Sequence, residues 1–160
     1  MPFLRGDETT QEIIVLAYGM EEGLRGFYTA VSERTDDPDV AGLADKLSEI
    51  EERHKERLFA LYVSMHSTIA LRETFESDIV TGIMEGGFTT EEFMDHNRDA
   101  MTTVPDLLSI AMMLETQALD LYMRYSEKIQ DAPGKGVLYD LAEEEKGHLT
   151  RLGRLMEKKV

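Results

Sequence analysis

Glu49-Ile50-Glu51-Glu52-Arg53-His54 returns, 94 residues further on, as Glu143-Glu144-Glu145-Lys146-Gly147-His148. In both stretches a Glu stands three residues before a His, which on a helix brings a carboxylate and an imidazole to one face, a turn apart. Two further glutamates, Glu21 and Glu115, are separated by the same 94 residues. The offset also relates Ala17 to Ala111, Tyr28 to Tyr122, Leu47 to Leu141, Arg57 to Arg151 and Leu61 to Leu155. One helical hairpin used twice, about an internal two-fold axis, is the simplest account of these pairs. With 20 Glu among 160 residues, any His has about a one-in-eight chance of a Glu three positions earlier, so a single such pair would mean little. Two of the four histidines have it, at matched positions, while His66 and His96 do not. Four carboxylates and two imidazoles directed inward from four helices form the ligand set of a two-metal site.

Outward from these residues, the sequence predicts four long helices. The first, over 10–34, opens with a capping box, Thr9-Thr10-Gln11-Glu12. Its inner face is Ile14, Ala17, Glu21, Leu24 and Tyr28, at steps of three and four. The second, over 38–66, follows a turn at Asp36-Asp37-Pro38 that supplies an N-cap and a Pro near the first helical position. Its stripe is Leu43, Leu47, Ile50/Glu51, His54, Leu58 and Leu61. The third, over 104–130, starts at Thr103-Val104-Pro105 and turns Leu108, Ala111, Glu115, Ala118 and Tyr122 inward. Asp131-Ala132-Pro133-Gly134 separates it from the fourth, over 134–158, with Leu138, Leu141, Glu145, His148, Leu152 and Leu155 inside. Residues 67–103 break the pattern with Gly82, Gly86-Gly87 and a second capping box, Thr89-Thr90-Glu91-Glu92. A structureless connection of that length is unusual, so one or two short helices are expected there, such as around 91–98. Short first and last links with a long middle one match an all-α, ferritin-like four-helix bundle with one crossover, in a single domain over 1–160.

Glu115 closes the apolar run Leu107-Leu108-Ser109-Ile110-Ala111-Met112-Met113-Leu114. A carboxylate on that stripe costs several kcal/mol unless it is protonated, ion-paired or bound to a cation. Ion pairing needs core cations, and Lys and Arg are scarce on these faces. Carboxylate oxygens with imidazole nitrogens suit Fe or Mn, with Zn as a further occupant. By analogy with other such sites, Glu51 and Glu145 bridge two ions, while Glu21, Glu115, His54 and His148 are terminal ligands. Which terminal Glu serves which His is left open. Four carboxylates balance two divalent cations, so the filled site is neutral.

Among the neighbouring glutamates, helical phase turns Glu52 and Glu143 outward to solvent and leaves Glu22 and Glu144 as candidates for contact with the ligands. Tyr28 and Tyr122 lie two turns beyond Glu21 and Glu115, placed to hydrogen-bond a ligand, to relay an electron, or simply to fill the core. Ten Met read mainly as core filler. Gly19, Gly23 and Gly26 suggest a groove for close approach of another helix or a partner subunit, and Gly147 suggests tight packing beside the site.

The balance of 17 basic and 32 acidic residues gives a net charge of −15. Such a surface repels phosphate backbones and anionic lipid, so no nucleic-acid or membrane partner is expected. The absence of Cys excludes disulfides, thiolate metal sites and thiol catalysis. Nothing near Met1-Pro2-Phe3-Leu4-Arg5 reads as a signal peptide, so a cytoplasmic protein is the expectation.

At Ala17-Tyr18-Gly19-Met20-Glu21-Glu22-Gly23-Leu24-Arg25-Gly26-Phe27-Tyr28, at Glu49–His54, at Ala111-Met112-Met113-Leu114-Glu115 and at Leu141–His148, the chain resembles the rubrerythrin branch of the ferritin-like superfamily. The resemblance spans roughly residues 10–158. It implies a non-haem di-iron site, reaction with hydrogen peroxide or dioxygen as a peroxidase, oxidase or ferroxidase, and a homodimer. Two departures stand out. Rubrerythrins carry a Cys-rich rubredoxin domain that delivers electrons; without Cys, this chain requires an external electron-donor protein or domain. Many rubrerythrins also have an extra Glu near the third-helix ligand where this chain has Ala118, which leaves a more symmetric site of six ligands. The competing readings are an iron-handling ferroxidase, a metal-binding or regulatory domain without turnover, and a metal-free structural bundle.

Overall fold

Local capping chemistry sets where the long helices begin. The computed structural model describes residues 6–65, 72–80 and 90–160. Helix α1, Thr10–Arg34, starts at the expected capping box: the Thr9 hydroxyl accepts from the Glu12 N–H at 3.2 Å, and the Glu12 carboxylate accepts from the Thr9 N–H at 3.1 Å. Helix α2, Pro38–Met65, starts where the Asp37 carboxylate accepts from the N–H groups of Asp39 and Val40. A short α3, Arg72–Thr74, runs into a π-helical segment, Phe75–Val80. Helix α4, Thr90–His96, is followed by a 3₁₀ turn, Arg98–Ala100, close to the short helix expected there. Helix α5, Val104–Lys128, opens on a reciprocal cap between Thr103 and Asp106, and α6 is Ala132–Lys159. His66, Gly82, Gly86, Gly87 and Thr89 lie outside the described residues.

Two helix ends differ from expectation for a local reason. Helix α6 begins at Ala132, not 134, because Asp131 acts as N-cap and accepts from the Gly134 N–H at 2.7 Å. Pro133 then falls in the first turn, where its missing N–H leaves no hydrogen bond unmade. Helix α5 ends at Lys128 because Ile129 takes an extended backbone, φ −69° and ψ 127°, and buries its side chain.

The described residues form helices and no strands. Helix α1 packs along α2 and α5 along α6, each pair joined by a link of only a few residues; α1 also meets α5, and α2 meets α6. All the expected inner residues of α1, α5 and α6 are buried. On α2 the buried line is Val40, Ala44, Leu47, Glu51, His54, Leu58 and Leu61. Leu43 and Ile50, expected inside, lie on the flank of that line and are only partly buried.

The crossover is pinned by aromatic side chains. Phe75 is fully buried, with ring centroids 4.9 Å from Tyr18, 5.3 Å from Phe59 and 4.7 Å from Tyr62. Phe93 on α4 stands edge-on to Phe27 of α1 at 6.0 Å. Within the chain, two glycines differ from expectation: Gly23 and Gly147 are exposed, and a Cβ on either would meet nothing within 4 Å. No helix of this chain approaches closely at those two positions. No helix among the described residues is long and apolar enough to cross a membrane.

Candidate metal centre

Glu21 comes from α1, Glu51 and His54 from α2, Glu115 from α5, and Glu145 and His148 from α6. All six are buried at 0–2 % exposure, and the structure brings them together at the centre of the helix packing. Their ligand atoms fall into two groups that share two members: Glu21, Glu51, His54 and Glu145 in one, and Glu51, Glu115, Glu145 and His148 in the other. Glu21 and Glu115 thus fall one to each imidazole. Glu21 Oε2 lies 3.4 Å from Nδ1 of His54, and Glu115 Oε1 lies 3.3 Å from Nδ1 of His148.

The two shared carboxylates span both groups. Glu51 places Oε2 2.9 Å from Nδ1 of His54 and Oε1 3.1 Å from Nδ1 of His148. Glu145 does the same in mirror fashion, with Oε1 3.1 Å from Nδ1 of His54 and Oε2 3.1 Å from Nδ1 of His148. The imidazoles lie nearly parallel, 9° apart, with centroids separated by 5.5 Å.

Close as these atoms are, they do not satisfy one another. Both oxygens of Glu51 and of Glu145, Oε2 of Glu115 and Nδ1 of His148 are buried without a hydrogen-bond partner. Unsatisfied polar atoms at this density are costly and demand an explanation. Donors that converge on a common point supply one. Around an ion about 2.1 Å from each ligand, neighbouring donors at right angles lie about 3.0 Å apart, and the observed separations of 2.9–3.4 Å bracket that value. Each donor set, hard oxygens with one imidazole, could hold a metal ion.

Protonation tells the same story from the other side. Burial and the negative charge of Glu21 push the Glu145 carboxyl up to about 8, and burial raises Glu51 well above the usual carboxylate range. Burial opposes charge on the imidazoles, but the facing carboxylates outweigh it. His148 is pushed up to about 12, with Glu115, Glu145 and Glu51 against it, and His54 is raised by Glu145, Glu21 and Glu51. Glu115 moves the other way: burial alone would raise it, and contacts with Glu145, His148 and Tyr28 lower it. Without a cation, protons gather in this cluster to balance its charge.

Beyond the six, the tyrosine hydroxyls cross between hairpins. Tyr28 of α1 donates to Glu115 Oε1, and Tyr122 of α5 donates to Glu21 Oε1. Burial and neighbouring carboxylates raise both phenols well above their ordinary value, so they remain donors. Each hydroxyl thus reaches a carboxylate contributed by the opposite hairpin. Nε2 of His54 donates to Glu144 Oε2 at 2.6 Å, while Arg57 donates to Glu144 Oε1 at 2.7 Å. A carboxylate only accepts, so Nε2 carries the hydrogen and, in the neutral ring, Nδ1 is left with its lone pair toward the cluster.

Glu22, the other candidate neighbour, does not reach the ligands. It pairs with Arg25 and with Lys55, whose Nζ lies 2.6 Å from Glu22 Oε2. Lys55 is a core cation that the reading of the stripes missed, at 5 % exposure. Glu52, expected in solvent, joins the same network through Lys55 at 3.2 Å and Arg72 at 2.6 Å. Arg72 and Glu76 both bond the buried Tyr18 hydroxyl. The one signal available for Lys55 was its place beside His54, four residues after Glu51. Glu143 is exposed and pairs with Lys146, as its phase predicts.

The chain matches no known protein-family description, and no curated protein matches it. Among solved structures it is similar to a hypothetical protein from Pyrococcus furiosus, with a TM-score of 0.69 and 22% identity over 96% of this chain and 91% of that one. At that identity the likeness speaks for the all-helical fold alone; the buried carboxylate and imidazole clusters able to hold metal are read from this chain's own residues.

Proposed function

We propose that this chain is a ferritin-like four-helix bundle with an internal two-fold repeat, and that it acts as a rubrerythrin-type di-iron oxidoreductase toward hydrogen peroxide or dioxygen. The observation that carries the reading is the arrangement of Glu51 and Glu145, each giving one oxygen to the His54 group and the other to the His148 group. A lone ion needs no such doubling. When bound, a pair of irons supplies Lewis acidity and the electrons for reducing the oxidant.

The chain supplies the remainder. Glu51 and Glu145 would hold both ions, with Glu21 and His54 completing one position and Glu115 and His148 the other. Tyr122 and Tyr28 fix the orientation of the terminal carboxylates by hydrogen bonds from the opposite hairpin. The packed core excludes bulk water from all six ligands. An external donor protein or domain returns the electrons, and the working form is a cytoplasmic homodimer.

The complete burial of the ligands also favours a second reading, in which the metal staples the helices without turnover. Anaerobic titration of metal-free protein with Fe(II), followed by hydrogen peroxide or air-saturated buffer, separates the two. The di-iron oxidoreductase gives a break at two irons per chain and then rapid growth of ferric absorbance, with peroxide consumed faster than by free iron. A break without faster consumption leaves the staple. No break at all defeats both readings, and a large shell-forming oligomer would point to iron storage instead.

A further inference from the structure

The 94-residue offset relates all six candidate ligands pair by pair, but it fails at one residue that touches a ligand. Glu144 of α6 accepts from Nε2 of His54 at 2.6 Å and is held in turn by Arg57 at 2.7 Å. The corresponding position on α2 is Ile50, partly buried, so His148 receives no matching carboxylate from it. Arg57, by contrast, keeps its counterpart in Arg151. The crossed tyrosine bonds treat the two ends alike.

We propose that Glu144 makes the two metal positions unequal, so that the position built on Glu21 and His54 fills first and more tightly than the one built on Glu115 and His148. The inference rests on the metal-centre reading above. Its physical basis is the second hydrogen bond of a ligating imidazole. A carboxylate at Nε2 fixes the tautomer that leaves Nδ1 free to bind, orients the ring and makes it a stronger donor, and loss of such a partner costs about 10–100-fold in metal affinity. His54 has that support, whereas Ile50 can offer His148 none. At one equivalent of metal, a half-filled chain with its ion on the His54 side accumulates.

The test is an anaerobic titration of metal-free protein with Co(II), followed by calorimetry and by the visible absorbance of the bound ion. Two steps separated by about 10-fold or more are expected. His148→Ala retains the tight step, and His54→Ala loses it. Glu144→Gln keeps the side-chain shape and an acceptor oxygen but removes the charge; it weakens the first step toward the second. Ile50→Glu, which puts a carboxylate at the position that matches Glu144, tightens the second step and leaves the first in place. Thermal melting of each metal-free variant checks that it folds, and Glu144→Gln carries the test should Ile50→Glu not fold. Two indistinguishable steps in the parent chain, or a separation that Glu144→Gln leaves unchanged, overturn the inequality while the metal centre stands. Failure to bind Co(II) at all overturns the metal centre itself, and this inference with it.

Discussion

Tyr28 and Glu115 show how one buried hydroxyl can be tested as a support for a ligand. Tyr28→Phe keeps the packing and removes the donor to Glu115 Oε1. The expected cost is about 1–3 kcal/mol in urea unfolding of the metal-free protein, since a buried carboxylate loses its partner. Metal stoichiometry should remain two per chain with weakened affinity, and unchanged stability together with unchanged affinity would reduce Tyr28 to core filler. Glu115→Leu makes a sharper contrast. Removing this carboxylate alone leaves the His148 imidazolium and the Tyr28 hydroxyl buried without it, so the metal-free protein is expected to lose about 3–5 kcal/mol, while metal binding drops from two ions to one. If the variant still binds two, Glu115 is not a ligand. The six clustered residues were legible at this scale because the 94-residue offset marks them in three pairs. Lys55, Tyr18, Arg72 and Glu76 were not, because their partners come from segments far apart in the chain and no repeat flags them.

At the scale of the helices, the capping residues made most boundaries readable. Thr9 with Glu12, Asp37 before Pro38, and Thr103 before Pro105 each satisfy backbone N–H groups through side chains only two or three positions away, so no tertiary context is needed to place them. The start of α6 was misplaced by two residues because Pro133-Gly134 looks like a break when Asp131 is not recognised as the cap. Gly23 offers a test of the surface of α1. It is exposed, mid-helix, and open within 4 Å of an added Cβ. Gly23→Ala should therefore raise stability by up to about 1 kcal/mol through backbone entropy alone. Thermal melting together with sedimentation velocity decides between two uses of this face: higher stability with unchanged sedimentation leaves it as free surface, whereas a shift to a smaller species assigns it to a subunit interface.

For the molecule as a whole, the metal-free cluster makes stability depend on pH with a definite sign. The Glu145 carboxyl is raised from its ordinary 4.5 to about 8, so the native state holds a proton that the unfolded chain has released across that window. Its stabilising contribution is complete below about pH 4.5 and is lost as pH rises through about 8, and the raised imidazoles of His54 and His148 add a loss of the same sign above about 6.5. Melting of the metal-free protein at several pH values between about 5 and 8 should show a falling Tm; a Tm that climbs across that range would contradict the protonation pattern. Bound metal displaces those protons, so metal affinity rises with pH and the loaded protein loses less stability. What the sequence determined by itself was the set of long helices, the identity of the inward carboxylates and imidazoles, and their occurrence in two matched halves. Those follow from helical period and capping, which act within a few residues of one another. Only the tertiary structure decided that Glu21 joins His54 and Glu115 joins His148, that the tyrosines cross between hairpins, and that Glu144 supports one imidazole and not the other. The helical period says which side chains face inward, but the rotation and register of one helix against the next say which of them meet, and those are set jointly by the packing of the entire core.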